Sequence, residues 1–296
     1  MKCFVCPREC GVDRDNGQIG ACGVSNKIYV ARVSLHMWEE PCISGSEGSG
    51  AVFFVGCPLG CIYCQNYEIS GKHEKIPATM EYSIEHLAEA FLSLESRGAN
   101  NINLVSPTHY SLQIIEAVAL AKKQGLKIPV LYNCSGYEKV ETLKMLNGIV
   151  DIYLTDFKYF NNDIAMKYSN VNNYVEVAKD SLHEMTSQQP QCEFNDKNMM
   201  TKGVIVRNLL LPGHVKNSKE IIKYVYETYG NSVYLSIMNQ YTPLSNVEGV
   251  KPLDRKVTKR EYNRLVDYVL SLGVTNAFVQ EGDVAEESFI PDFYMK

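Results

Sequence analysis

From Ala51 onward, short β-rich runs alternate with amphipathic stretches of helical period, and that alternation leaves few folds open. The predicted strands are Ala51–Val55, Asn101–Val105, Pro129–Asn133, Val150–Thr155, Gly203–Leu209, Ser232–Met238 and Asn276–Gln280. Between them, Ile84–Arg97 places Ile84, Leu87, Phe91 and Leu94 on one face and stops at Gly98, and Ser111–Gln124 stops at Gly125. Glu138–Leu146, Tyr174–Ser187 and Ser218–Tyr229 continue the pattern, and Thr258-x-x-Glu261 is a capping-box start for a last helix ending at Gly273. Alternation of this length requires parallel strands with right-handed crossovers, in a doubly wound sheet or a barrel. The polar stretch 188–200 reads as a surface loop.

The first of these strands runs into Gly56-Cys57-Pro58-Leu59-Gly60-Cys61-Ile62-Tyr63-Cys64-Gln65-Asn66. On a helix, Cys57, Cys61 and Cys64 would share one face and could be inert core thiols. Gly56, Pro58 and Gly60 are poor helix-interior residues, however, and the preceding run is strand-like, so the segment is predicted to be a ligand loop. Thiolates hold iron–sulfur clusters, and three in a short loop leave one iron of a four-iron cluster open to a small molecule.

Residues 1–50 differ from the remainder, 51–296, and are read as a separate cysteine-rich segment with its connector. They hold five of the ten cysteines, and one predicted strand, Lys27–Leu35. Cys3, Cys6, Cys10 and Cys22 are assigned to a second metal centre, either structural zinc or another iron–sulfur cluster. Cys10-Gly11-Val12 and Cys22-Gly23-Val24 repeat one pattern, in which glycine after a ligand cysteine lets backbone amides approach the sulfur. Cys6-Pro7 echoes bacterial ferredoxins, whereas C-x2-C with further cysteines is equally a zinc pattern. So short a segment lacks apolar content for its own core, so metal binding would supply much of its order. The run Ile43–Gly50 reads as a flexible connector, and Cys42, Cys134 and Cys192 as ordinary thiols.

The net charge of -5 excludes a broad phosphate-binding surface, so no nucleic-acid partner is expected. No apolar run approaches membrane-spanning length, and the expectation is a cytoplasmic protein without a membrane partner. In a reducing compartment, ten cysteines point to metal binding rather than disulfides.

C-x3-C-x2-C with an aromatic residue, Tyr63, before the last cysteine resembles the signature of radical S-adenosylmethionine (SAM) enzymes. Cys64-Gln65-Asn66-Tyr67 and the opening Cys-x2-Cys-Pro-Arg-x-Cys-Gly-Val are similar, more narrowly, to proteins like the pyruvate formate-lyase-activating enzyme. The resemblance implies an α/β fold, a partial (β/α)6 barrel with its active site at the carboxyl ends of the strands. It implies a [4Fe-4S] cluster on Cys57, Cys61 and Cys64, and SAM as second cofactor. Asn133 would contact the ribose, while Asp156, Lys158 and Arg207 would line the methionyl and sulfonium end; Ser135 belongs to the same pocket. Two positions depart from the pattern: Pro107-Thr108-His109 replaces a Gly-Gly-Glu segment, with Thr108 or backbone carbonyls substituting, and Gln240 stands where a histidine is found. The ferredoxin-like insert of some activases is missing.

The reaction so implied is reductive cleavage of SAM to methionine and a 5′-deoxyadenosyl radical. That radical would take a hydrogen from a glycine of a partner glycyl radical enzyme, with the electron coming from a reduced flavodoxin- or ferredoxin-type donor. The rival readings are a radical SAM reaction on a small metabolite or another peptide, and a non-catalytic iron–sulfur or zinc protein that carries electrons or scaffolds a partner. His109 and His214 read as surface loop residues before ligands or bases, and Glu39 and Glu40 as solvated acids.

Overall fold

A computed structural model describes residues 2–71 and 76–280; the last part of the predicted barrel, 281–296, lies outside the described residues. The strands are β1 (Ile28–His36), β2 (Ser49–Phe54), β3 (Glu81–Tyr82), β4 (Ile102–Val105), β5 (Val130–Cys134), β6 (Ile152–Asp156), β7 (Glu193–Phe194), β8 (Met200–Leu209), β9 (Tyr234–Met238) and β10 (Ala277–Val279). The helices are α1 (Pro41–Ser44), α2 (Tyr67–Ser70), α3 (Ile84–Ser96), α4 (Ser111–Lys123), α5 (Val140–Met145), α6 (Asn162–Ser169), α7 (Tyr174–Gln188), α8 (Val215–Tyr229) and α9 (Lys259–Ser271). The sheet order is β10-β9-β8-β6-β5-β4-β2-β1-β3. Every pair from β2 to β10 is parallel, and β1 adds antiparallel to β2. The fold is thus α/β with a mostly parallel sheet, as a partial radical SAM barrel requires.

The strands are near-continuous apolar runs because both faces are covered. Their period-two alternation still separates two layers. Leu131, Ile152, Leu154 and Ile205 pack together on one face. One pleat further toward the strand ends, on that same face, stand Asn133, Asp156 and Arg207. Register sets Asp156 level with Arg207, and Asn133 one pleat lower, opposite Leu154. The apolar layer is the floor of the site and the polar layer its wall.

Two sequence expectations are corrected here. The segment 43–50 is not a flexible connector: Ile43 and Cys42 of α1 pack against Leu131, Leu154 and Ile205, and Ser49 Oγ donates to Asn101 Oδ1 at 2.6 Å. The polar stretch 188–200 is not wholly loop, since β7 pairs antiparallel with the start of β8. Helix α6 has only eight residues and went unpredicted, although Asn161 caps it by accepting from the Asp163 and Ile164 amides. At α9 the capping box of Thr258 and Glu261 is present as read.

Candidate active site

At the carboxyl ends of β2, β4, β5, β6, β8 and β9 lies a cavity of about 210 Å³. Cys57, Cys61 and Cys64 line it together with Asn133, Ser135, Asp156, Lys158, Arg207 and Gln240. Of the residues the resemblance assigned to the cofactors, Thr108 does not line this cavity. Thr108 is buried and donates its hydroxyl to Glu138 Oε1 at 2.8 Å, away from the cavity. In its place Ser106 lines the wall, with a left-handed backbone of φ 58° unusual for a residue with a Cβ.

The cysteine loop is anchored by backbone contacts rather than by its sulfurs. Cys57 N–H donates to Cys22 O at 3.0 Å and Ile62 N–H to Tyr168 O at 2.9 Å. Gly56, at φ 93°, allows the first of these: a Cβ there would stand 2.7 Å from Cys22 O. Each sulfur nevertheless has a donor. The Gly60 and Leu59 amides serve Cys57, the Ser70 hydroxyl and Asn66 amide serve Cys64, and the Ser169 hydroxyl serves Cys61 at 3.1 Å. Burial pushes the Cys57 thiol up to about 12, so a bound cation is what would make it a thiolate. These are residues that fit a cluster: half-buried sulfurs, each with a donor, facing one space. Among the described residues, no three His, Cys, Asp or Glu side chains are gathered tightly enough for a single metal ion.

Lys158 Nζ pairs with Asp156 Oδ2 at 2.6 Å. Burial disfavours the lysine charge, yet the Asp156 carboxylate holds it above its usual value. Arg207 lines the cavity with its guanidinium already engaged. It is gripped by Glu40, with Nε to Oε1 at 2.7 Å and Nη2 to Oε2 at 2.6 Å, and by Glu39 Oε2. Glu39 and Glu40 are buried, not solvated, because this guanidinium offsets the cost of their desolvation. Burial would raise Glu39, but Arg207 brings it below the ordinary carboxylate range. Glu39 Oε1 also accepts from Asn103 at 2.8 Å and from Asn133 Nδ2 at 3.4 Å, which turns the Asn133 carbonyl oxygen the other way.

His109 is buried, not a surface residue: burial lowers it to about 3, and as neutral imidazole it donates from Nε2 to Val55 O at 2.8 Å. His214 is half-buried, and its Nε2 meets the Tyr168 hydroxyl at 2.9 Å. Behind Thr108, burial raises Glu138 to about 8 despite hydrogen bonds from Thr108 and Tyr132. An unfolded chain releases that proton near 4.5. Stability linked to Glu138 is therefore full below pH 4.5 and declines as pH rises toward 8. Glu138→Gln is expected to flatten that slope in urea titrations between pH 5 and 8; an unaltered slope would assign it to other groups.

The N-terminal cysteines are also near one another. Cys6 feels the charge of Cys22 and Cys3, Cys22 that of Cys3 and Cys10, and Cys10 hydrogen-bonds Cys3. Burial would raise Cys10, but the Ala21 and Val12 amides and Cys3 bring it below the usual thiol value. Sequence reading overlooked two arginines in this segment. Arg14 is buried and donates to Ser25 O at 2.6 Å and His109 O at 2.7 Å, with its guanidinium above the Tyr110 ring. Arg8 reaches the cysteine loop, donating to Pro58 O and Leu59 O.

Residues 51–195 match the family described as the radical SAM superfamily. Similarity to that superfamily supports an enzymatic role, and the family implies a [4Fe-4S] cluster and SAM as cofactors. An uncharacterized protein of Methanocaldococcus jannaschii is 28% identical over 271 residues, covering 90% of this chain and 73% of its own length. Two solved structures share the fold of this chain. Streptococcus suis SuiB bound to S-adenosylmethionine has a TM-score of 0.51 at 12% identity, over 77% of this chain and 49% of SuiB. Methylornithine synthase, PylB, has a TM-score of 0.52 at 14% identity, over 75% of this chain and 60% of PylB. The chain thus spans about half the length of SuiB. Among the described residues, no helix is long and apolar enough to cross a membrane.

Proposed function

We propose that this chain binds a [4Fe-4S] cluster on Cys57, Cys61 and Cys64, and SAM against the adjoining wall of Asn133, Ser135, Asp156 and Lys158. The observation that carries this reading is that all these residues line one cavity at the strand ends. When bound, the cluster would supply the electron that cleaves SAM to methionine and a 5′-deoxyadenosyl radical. The chain's own part is to orient and shield. Lys158 suits the SAM carboxylate and Asp156 its ammonium, as charge-assisted contacts. The Asn133 carbonyl oxygen, fixed by Glu39, suits a ribose hydroxyl, and Ser106 and Gln240 complete the wall. Arg207 acts as a strut between β8 and the segment after β1 rather than as a free carboxylate receptor.

The hydrogen donor in this proposal is a glycine of a partner glycyl radical enzyme, with a reduced flavodoxin or ferredoxin as electron donor. SAM and reductant added anaerobically to the iron-loaded protein should give 5′-deoxyadenosine by mass spectrometry, and no product from a fully loaded cluster defeats the reading. Asp156→Ala should weaken SAM binding roughly ten- to a hundredfold, about 1.5–3 kcal/mol, with iron content unchanged. Equal SAM affinity by calorimetry would show the pocket to be misplaced.

Cys3, Cys6, Cys10 and Cys22 are proposed as a second metal centre, iron–sulfur or zinc. Their mutual proximity supports a shared centre, and the buried Arg14 guanidinium, whose Nη1 lies 3.9 Å from Cys3 Sγ, would offset the charge of a thiolate there. The C3A/C6A variant should lose one metal centre by inductively coupled plasma mass spectrometry and keep the Cys57–Cys64 cluster. Wild-type metal content in it would refute the second site.

A further inference from the structure

Arg8 spends its whole guanidinium on backbone carbonyls from two places. Nε donates to Pro58 O at 2.8 Å and Nη2 to Leu59 O at 3.2 Å, both in the cysteine loop. Nη1 donates to Asn170 O at 2.6 Å and Nη2 to Ser169 O at 2.9 Å, at the end of α6. Ser169 is buried, and its hydroxyl donates to Cys61 Sγ at 3.1 Å. The Tyr159 hydroxyl meets Ser169 Oγ at 2.7 Å and Cys61 Sγ only at 3.8 Å, so with Ser169 donating to sulfur at 3.1 Å, Tyr159 donates to Ser169. A ligand thiolate carries no proton and can only accept.

We infer that Ser169, held in place by Arg8, is a positioning residue that hydrogen-bonds the Cys61 sulfur and sets the reduction potential of the cluster. The inference rests on Cys61 being a ligand, as proposed above. Hydrogen bonds to cluster sulfurs are among the determinants of potential, because a donor offsets the negative charge added on reduction. Arg8 fixes both sides of the contact, one pair of its bonds on the loop that carries Cys61 and the other on Ser169, which carries the hydroxyl, and its neighbour Asn170. Through it the N-terminal cysteine segment bears on the site where an electron would arrive.

The test is the midpoint potential of the iron-loaded protein, read by spectroelectrochemistry without SAM, in wild type, Ser169→Ala, Ser169→Thr, Arg8→Ala and the double variant. Ser169→Ala should lower the potential, with the reduced fraction at fixed poise falling by up to about tenfold, ~59 mV for one electron. Ser169→Thr should restore it. Arg8→Ala should lower it in the same direction, and the double variant should be no lower than Ser169→Ala, since both remove one contact. Full iron loading with an unchanged potential in Ser169→Ala overturns the inference, as do additive shifts in the double variant. Failure of the wild type to load iron at Cys57–Cys64 would instead defeat the cluster reading, and iron content distinguishes the two.

Discussion

Replacing any one of Cys57, Cys61 or Cys64 by alanine is expected to abolish 5′-deoxyadenosine formation while circular dichroism shows an unchanged fold. The loss should be complete because three thiolates are the fewest that hold a four-iron cluster with one iron open. The fold should persist because the loop is held by other groups: the Cys57 amide on Cys22 O, the Ile62 amide on Tyr168 O, and Arg8 on Pro58 O and Leu59 O. Truncating one partly buried thiol removes little apolar area. Turnover retained in any of the three variants would remove that cysteine from the ligand set.

Arg207→Ala is expected to destabilise the protein by about 3–5 kcal/mol, since it leaves two buried carboxylates without their cation. Glu39 and Glu40 keep only 8% and 4% side-chain exposure, so water cannot take over from the guanidinium. Acid behaviour gives a second reading. In the wild type the lowered Glu39 contributes stability above the ordinary carboxylate range, and this is lost as pH falls. In Arg207→Ala the sign reverses, and the variant should recover stability on mild acidification as the stranded acids protonate. The apolar and amide replacement E39Q/E40Q/R207M should be far less damaged than Arg207→Ala alone. Wild-type urea midpoints for Arg207→Ala would show that the triad contributes nothing. The family resemblance put Arg207 at the methionyl and sulfonium end of SAM, where its loss would affect binding first.

The alternation of strand and helix, the positions of the seven parallel strands and the cysteine loop were legible in the sequence because each is a local pattern. Continuous β-branched runs report a strand buried on both faces, and Gly56, Pro58 and Gly60 report a loop wherever they occur. Asn133, Asp156 and Lys158 stand at or just past the carboxyl ends of strands, a position readable from the sequence, whereas their role toward a cofactor came from the family resemblance. What tertiary structure alone decided are the partners. Nothing near Glu39 and Glu40 in the chain says that Arg207, more than 160 residues away, will face them, so two acids that read as solvated are buried. Thr108 turned to Glu138, Ile43 entered the barrel floor, and Arg8 reached the end of an unpredicted helix for the same reason. Local periodicity fixes which way a side chain leaves its own element, whereas the charge or carbonyl it meets depends on which distant element the folded chain brings opposite.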